Sequence, residues 1–130
     1  MAEDESPEKL RFVVHDHHSK NHHYDLRLEK DGILKCWAVP KGVPEIPGEK
    51  HLSIDSGDHE LSALTFSGII PAGEYGAGEI LIDDSGTYES LSWDEKKIEF
   101  FLHGEKYRGK YVLVRFKRAG EGNWLLMKAK

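Results

Sequence analysis

The chain has 130 residues, of which 38% are hydrophobic and 32% charged, and its formal net charge is −5 at pH 7. This composition predicts one soluble globular domain with its own core. The negative charge argues against a protein that binds long nucleic acids without regard to sequence, because such proteins are normally basic. It is compatible with a local cationic pocket that takes one phosphate at a nucleic-acid end. No apolar run approaches the roughly 18 residues of a membrane helix.

The N-terminal segment and the cysteine content suggest where the protein works. Residues 1–11 are rich in acidic residues and lack the apolar stretch of a secretory signal, so they are predicted to form a flexible tail. The domain is then expected to span residues 12–130. Cys36 is the only cysteine, which excludes an internal disulfide and favours a reducing, cytoplasmic location. Its place in a strand pattern predicts a buried packing residue rather than a nucleophile.

Two histidine-rich strands open the predicted domain. Residues 12–17 and residues 22–29 are each predicted to be a strand, and a short polar segment, residues 18–21, joins them. The second segment alternates strictly between polar and apolar residues, which is typical of a strand with one buried face. Its polar face carries His23, Asp25 and Arg27 in a row. The guanidinium is a bidentate partner for phosphate or carboxylate, so Arg27 is predicted to contact phosphate.

His17, His23 and Asp25 are the candidate metal ligands. Two imidazoles and one carboxylate form a mixed nitrogen and oxygen set that suits manganese or zinc, with open positions for water and substrate. The alternative is a solvated cluster of surface histidines. Metal binding is favoured because these residues lie inside strand patterns rather than at a terminus, and two of them share one strand face.

The next strand is expected to pair with the second through a two-residue type I′ turn at Asp31–Gly32. The expected pairs are Lys30 with Ile33, Arg27 with Cys36, Leu26 with Trp37, Asp25 with Ala38, and Tyr24 with Val39. This register gives the sheet one large apolar face for a core. The other face combines small residues with the polar row, which leaves room for an ion and a substrate.

The rest of the chain is predicted to be short strands joined by turns. Further strands are expected over residues 51–55, 65–70, 79–83, 87–93, 97–102, 111–117 and 124–129, with turns at residues 56–62, 84–86, 103–104 and 119–123. Eight or nine strands with turn signals every eight to twelve residues predict an all-β barrel or sandwich. The glycine-rich segment 71–79 lacks the Gly-Lys-Ser/Thr ending of a phosphate loop and is predicted to be a tight β-connection.

Three isolated residues are weaker candidates. Lys41 stands at a strand end beside a glycine, where a phosphate contact and a plain surface charge are equally compatible with the sequence. His59 is predicted to lie in a polar turn, where a histidine is more often a surface or capping residue. His51 carries less signal than His59.

Several segments together resemble the 3′-phosphoesterase family, the domain attached to bacterial DNA ligase D of end-joining repair, which also occurs as a free-standing protein. The segments are FVVHDHHSKNHHYDLRLEKDGILKCWAVPKG, GDH, GIIPAGEYGAGEILIDDSGTYE, GKYVLVRF and NWLLMKAK. The resemblance covers nearly the whole chain from Phe12. It implies a compact β-barrel of about eight strands with a polar groove, and this chain would be a free-standing, monomeric member.

The resemblance also implies a reaction, which is the manganese-dependent trimming of DNA 3′ ends. A terminal ribonucleoside is removed to leave a 3′-phosphate, and that phosphate is then removed to leave a 3′-hydroxyl. Carried over by position, the metal ligands are His17, His23 and Asp25, and the groups around the scissile phosphate are Arg27, Lys41 and His59. His51 is a further candidate for binding the substrate phosphate. His59 is expected to stabilise the transition state or to protonate the leaving oxygen.

The resemblance is incomplete at two positions, and it suggests partners. Ligase-fused members have an arginine where this chain has His51 and a tyrosine where it has Ala63, so the phosphate pocket is expected to be less cationic than theirs. The implied substrate is a DNA 3′ end. An ATP-dependent DNA ligase or a Ku-like end-joining protein would be the protein partner.

Two other functions stay open at this point. His23 and Asp25 with a distal His59 imitate the two-histidine, one-carboxylate set of a non-haem iron oxygenase. A non-catalytic, metal-stabilised module that docks a DNA end or a ligase would need the same ligands. For the esterase, attack by a metal-activated water is favoured over a covalent route because no serine or cysteine stands in a nucleophile motif, and a phosphohistidine is the remaining covalent alternative.

Overall fold

The computed structural model describes residues 9–74, 77–116 and 122–130. Within these ranges the chain forms nine β-strands, and a 3₁₀ helix spans Leu61–Thr65. The strands are β1 (Leu10–His18), β2 (His23–Lys30), β3 (Ile33–Val39), β4 (Lys50–His59), β5 (Gly68–Ile70), β6 (Gly78–Trp93), β7 (Lys97–Gly104), β8 (Arg108–Arg115) and β9 (Asn123–Lys128). Residues 1–8 of the predicted tail and residues 119–121 of the predicted last turn lie outside the described ranges. Those ranges contain no helix with the length and apolar character needed to cross a bilayer.

The strands close into an antiparallel barrel, which confirms the predicted all-β fold and decides between barrel and sandwich. Eight strands follow one another around the barrel in the order β1, β2, β3, β4, β9, β8, β7 and β6. β6 pairs with β1 and completes the circle, so neither strand is left as an open edge along this contact. β5 pairs with the first residues of β6, beside the barrel.

The barrel interior is the main hydrophobic core. Side chains alternate along each strand, and the inward set includes Phe12, Leu26, Trp37, Tyr88, Phe100, Tyr111, Leu113 and Leu126. A second, smaller apolar cluster lies on the outer face of β1 and β3, where Leu64 of the 3₁₀ helix packs on Val13, Leu34 and Cys36. Strands β1 to β3 are therefore covered on both faces. The polar row of β2 lies on the outer face, between this part of the sheet and the chain that follows β4.

The β2–β3 hairpin has the predicted register. Asp31 and Gly32 both have positive φ, at 53° and 83°, as a type I′ turn requires. All five expected pairs occur, from Lys30 opposite Ile33 to Tyr24 opposite Val39. Cys36 is buried at 1% exposure, as predicted for a packing residue.

β4 extends through a segment that was predicted to be a turn, so the prediction for residues 56–59 is wrong. Cys36 pairs with Gly57 and Trp37 pairs with Asp55, which makes Ser56 an extra residue, a β-bulge. Because side chains alternate along a strand, one extra residue exchanges the inward and outward positions. The bulge turns His59 at the end of β4 to the outer face, towards the β2 row.

The predicted turns at residues 84–86 and 103–104 are also wrong. β6 runs straight through the first, because it pairs with β1 along one edge and with β7 along the other. Asp84 is buried, and its carboxylate accepts hydrogen bonds from the backbone N–H groups of residues 105–107. The side chain of Asp84 therefore stabilises the β7–β8 turn and does not form a turn in its own segment.

Candidate active site

The β1–β2 hairpin brings the three predicted metal ligands together on the outer face of the sheet. His17 and His23 are directly paired across the two strands, and their ring centroids are 4.7 Å apart. Asp25 Oδ2 lies 3.3 Å from His17 Nδ1, and Asp25 Oδ1 lies 3.3 Å from His23 Nε2. One ligand atom from each residue falls within 4.8 Å of the other two. Two imidazoles and a carboxylate this close fit a divalent transition ion.

The orientation of His23 supports that fit. Its Nδ1–H donates to the backbone carbonyl of Asn21 over 2.8 Å, which leaves Nε2 directed at Asp25. Metal-binding histidines commonly donate their second ring N–H in this way, because the hydrogen bond fixes the ring and its tautomer. The hydrogen bond with Asp25 raises the pKa of His23 against the opposing effect of burial.

Asp25 is held as a carboxylate. Burial works to raise its pKa, but the hydrogen bond from His23 and the positive charge of Arg27 outweigh burial, and the net pKa is lowered. Arg27 Nη2 lies 3.4 Å from Asp25 Oδ2. The anionic form is the one that a metal ion requires.

Arg27 is the buried centre of the polar row, at 7% exposure. Its Nε donates to His15 Nδ1 over 3.0 Å, and its Nη1 donates to Cys36 Sγ over 3.1 Å and to His59 Nδ1 over 3.2 Å. With the Nη2 contact to Asp25, four of the five guanidinium N–H groups have acceptors among the described residues. One Nη2–H remains for a phosphate oxygen.

The contact with Arg27 also defines the state of His59. A guanidinium can only donate, so His59 Nδ1 accepts and the neutral ring carries its proton on Nε2. Burial, and then the charge of Arg27, lower the pKa of His59. The neutral ring offers Nε2–H as a hydrogen-bond donor, which agrees better with stabilising a transition state than with delivering a proton.

His15 belongs to the same network and was not predicted as a site residue. It is buried at 1% exposure, accepts from Arg27 through Nδ1, and forms a 2.8 Å hydrogen bond to the Phe66 carbonyl through Nε2. Burial, and then the charge of Arg27, lower its pKa. The signal that could have revealed it is the alternation of β1, which puts His15 and His17 on one face.

The candidate metal ligands, Arg27 and His59 line one open cavity of about 1160 Å³. One side consists of His17, His23, Asp25, Arg27 and Ala38 on the sheet. The other side comes from the residues that lead from the end of β4 to the start of β6. The described lining residues include the cations Lys20 and Arg27 and the anions Asp25, Asp58 and Glu60, so the formal anions outnumber the formal cations along the cavity.

Comparison with known proteins agrees with the geometry. The family model described as the DNA Ligase D 3′-phosphoesterase domain matches residues 15–115, a range that includes the whole candidate site. The chain belongs to this family.

The family relatives include much longer proteins. The multifunctional non-homologous end joining protein LigD of Mycobacterium bovis is 45% identical over 108 residues, which cover 80% of this chain and 14% of that protein. The LigD proteins of Mycolicibacterium smegmatis and Pseudomonas aeruginosa are 43% and 42% identical, over 92% and 93% of this chain. The chain spans 17% and 15% of the length of these two relatives.

Two of the residues predicted to bind the substrate phosphate line a different cavity. Lys41 and His51 line a separate, smaller cavity of about 400 Å³, and His51 Nδ1–H donates to the Gly42 carbonyl over 2.6 Å. The structure does not bring them into the cavity that contains Arg27. Ala63 does line that larger cavity.

The fold does assemble two histidines and one carboxylate, but the second histidine is His17 and not the His59 of the oxygenase alternative. The group whose ligand atoms lie within 4.8 Å of one another contains His17 with His23 and Asp25. His59 is instead oriented by its hydrogen bond with Arg27. Three candidate metal ligands beside a buried guanidinium suit a phosphate ester, because Arg27 could bind the anion that an ion held there would polarise.

Proposed function

We propose that this protein processes DNA ends as a metal-dependent 3′-phosphoesterase. It would remove a 3′-terminal ribonucleoside and then the remaining 3′-phosphate, leaving a 3′-hydroxyl for ligation. The observation that carries the proposal is the arrangement of His17, His23 and Asp25 beside Arg27 and His59 in one open cavity. Family membership supports the same reaction class.

Manganese is the proposed cofactor, held by His17, His23 and Asp25. When bound, the ion would polarise the phosphoryl group and lower the pKa of a bound water, which makes direct attack by that water the proposed route. The protein contributes by keeping Asp25 anionic and by fixing the His23 ring through the Asn21 carbonyl.

Arg27 and His59 are the proposed phosphate-binding pair. The remaining Nη2–H of Arg27 and the Nε2–H of His59 would donate to non-bridging oxygens, where negative charge grows as the bond breaks. A fork of two parallel hydrogen bonds from Arg27 requires release of one existing contact, and the 3.4 Å contact with Asp25 is the longest. Lys41 and His51 would act at a more distant part of the DNA strand.

The proposed setting is end-joining repair in the cytoplasm. All three relatives described above carry this process in their names, as multifunctional non-homologous end joining proteins. The 3′-hydroxyl that this reaction leaves is the group a ligase joins, so an ATP-dependent DNA ligase or a Ku-like protein is the proposed partner of a monomeric esterase.

The deciding experiment uses an end-labelled primer that carries one 3′ ribonucleotide. We expect conversion first to a 3′-phosphate and then to a 3′-hydroxyl with manganese, and none with a chelator. His23→Ala should abolish both steps, while His103→Ala, at an exposed histidine paired with Glu89, should not. An unchanged primer in the presence of manganese would refute the activity and leave the non-catalytic docking module. Equal activity of His23→Ala would refute the metal assignment.

A further inference from the structure

A second histidine–carboxylate cluster lies at the end of β1, outside the lining of the large cavity. Asp16 Oδ1 is 2.6 Å from His22 Nε2 and 3.2 Å from His18 Nε2. One ligand atom from each of the three residues falls within 4.8 Å of the other two. The cavity ligands show the same degree of clustering, so proximity alone does not distinguish the two groups.

The alternation of β1 separates the two groups. His15 and His17 point to the outer face, so Asp16 and His18 point the other way. His22 reaches the second cluster from the connection between β1 and β2. Its ring also packs near the ring of Tyr24, with 5.3 Å between the two ring centroids. The two clusters share no residue, and each can be changed without touching the other.

The two histidines of the second cluster already direct their Nε2 atoms at one common position. Their rings stack at 4.4 Å with an interplanar angle of 10°, and both Nε2 atoms meet the same carboxylate oxygen. With bonds of about 2.0–2.1 Å, two donors on a tetrahedral ion lie about 3.3 Å apart. The 3.2 Å separation already matches this spacing. The 2.6 Å separation needs a small opening, which an exposed side chain such as His22 can make.

We infer that Asp16, His18 and His22 bind a second divalent transition ion, of the kind that zinc represents. Imidazole ligands suit zinc, copper and nickel, and manganese is bound more weakly than these at such sites. The exposed rings leave further positions for water. The bound ion would tie together both ends of the connection formed by Ser19, Lys20 and Asn21, three residues that line the large cavity.

The test is zinc stoichiometry, measured by equilibrium dialysis with metal analysis on the full chain. His22→Phe keeps a flat ring against His18 and Tyr24 but removes both ligand nitrogens. The matched control is His103→Phe, because His103 is also exposed, contacts an aromatic ring and lies 2.6 Å from a carboxylate. We expect two ions per wild-type chain, one for His22→Phe and two for His103→Phe. His23→Ala reports separately on the cavity ligands.

The comparison between wild type and His22→Phe decides the inference. One ion fewer in the variant supports it, whatever His23→Ala shows about the proposed active site. Equal stoichiometry in the two proteins overturns it. Should His22→Phe fail to fold by near-ultraviolet circular dichroism, His18→Phe gives the same comparison. Visible absorption of the cobalt-loaded proteins provides a second readout. If His22→Phe binds one ion fewer, it must also lose the absorption bands of the cobalt ion at that site.

Discussion

Arg27 connects three titratable side chains of the candidate site. It donates to His15 and His59, lies beside Asp25, and lowers the pKa of all three. A buried guanidinium is tolerated here because its N–H groups find acceptors and a carboxylate balances its charge. The carboxylate that balances the charge of Arg27 is Asp25, which is also a proposed metal ligand. When Asp25 holds an ion, the positive charge of Arg27 remains available to a phosphate.

Replacing Arg27 by Lys tests whether the planar fork, rather than the charge, binds the phosphate. An ammonium cannot donate to His15, His59 and Asp25 at once, so we expect kcat to fall about 10- to 100-fold, the effect of losing one charged hydrogen bond. Metal stoichiometry should stay the same. The control is Arg108→Lys, an exposed arginine whose Nη1 donates to the Gly104 carbonyl. Wild-type kinetics of Arg27→Lys would remove Arg27 from phosphate binding.

His15 is expected to be a positioning residue, because it touches Arg27 and the Phe66 carbonyl and not the proposed ion. His15→Leu leaves a buried N–H of Arg27 and the partly buried Phe66 carbonyl without this hydrogen bond, which should lower the free energy of unfolding by about 1–3 kcal/mol. His15→Gln can accept from Arg27 and donate to Phe66, so it should restore both stability and kcat. Denaturant unfolding and steady-state kinetics on the two variants check this. A Gln variant as impaired as the Leu variant would contradict the role.

The lowered pKa of His59 predicts a dependence of stability on pH. The folded protein binds a proton at His59 less readily than the unfolded chain does. In the unfolded chain the pKa of a histidine is about 6.5. The His59 contribution is therefore fully present above about pH 6.5 and is lost as the pH falls below it. Measured with a chelator, the stability difference between wild type and His59→Asn should shrink from pH 7.5 to pH 5.5. A constant difference would mean that the shift is absent.

At the scale of the elements, the β2–β3 hairpin is predictable and the β4 bulge is not. The hairpin combines a local turn signal with strict alternation, and both point to one register. The bulge depends on the partner strand, because Ser56 becomes the extra residue only when Cys36 and Trp37 are both paired. Sequence reasoning therefore found His23 and Arg27 on their common face, and it placed His59 in a turn.

Gly57 allows a test of the bulge. Its φ is 92°, and a Cβ there would meet no atom within 4 Å, so Gly57→Ala adds backbone strain without a clash. We expect a loss of about 1–2 kcal/mol in the free energy of unfolding and a lower kcat, because the bulge directs His59. Gly32→Ala is the matched control, with a φ of 83° and equally open space in the β2–β3 turn. It should lose similar stability and keep kcat. Equal kinetics of the two variants would contradict the proposed role of the bulge.

At the scale of the whole molecule, closure of the barrel depends on contacts between distant parts of the sequence. β6 pairs with β1 and β7 over sixteen residues, and the local turn signal at residues 84–86 gives no hint of that. The part of the candidate site that lies within one hairpin, β1–β2, was predictable from the sequence. Lys41 and His51 were weak candidates from the sequence, and the fold places them along another cavity.

The charge of the whole molecule predicts how DNA binding responds to salt. A net charge of −5 and a cavity with two lining cations against three anions allow few phosphate contacts. Each contact with a single strand contributes about −0.7 to the slope of log K against log salt. We therefore expect a slope between about −1 and −2 for a primer ending in a non-hydrolysable 3′-phosphonate, measured by fluorescence anisotropy with manganese in excess. Lys20→Ala should make the slope shallower by up to about 0.7, the contribution of one contact, because Lys20 is the exposed cation of the cavity. A wild-type slope steeper than about −4 would show that the protein grips a long stretch of backbone, contrary to binding through a single 3′ end.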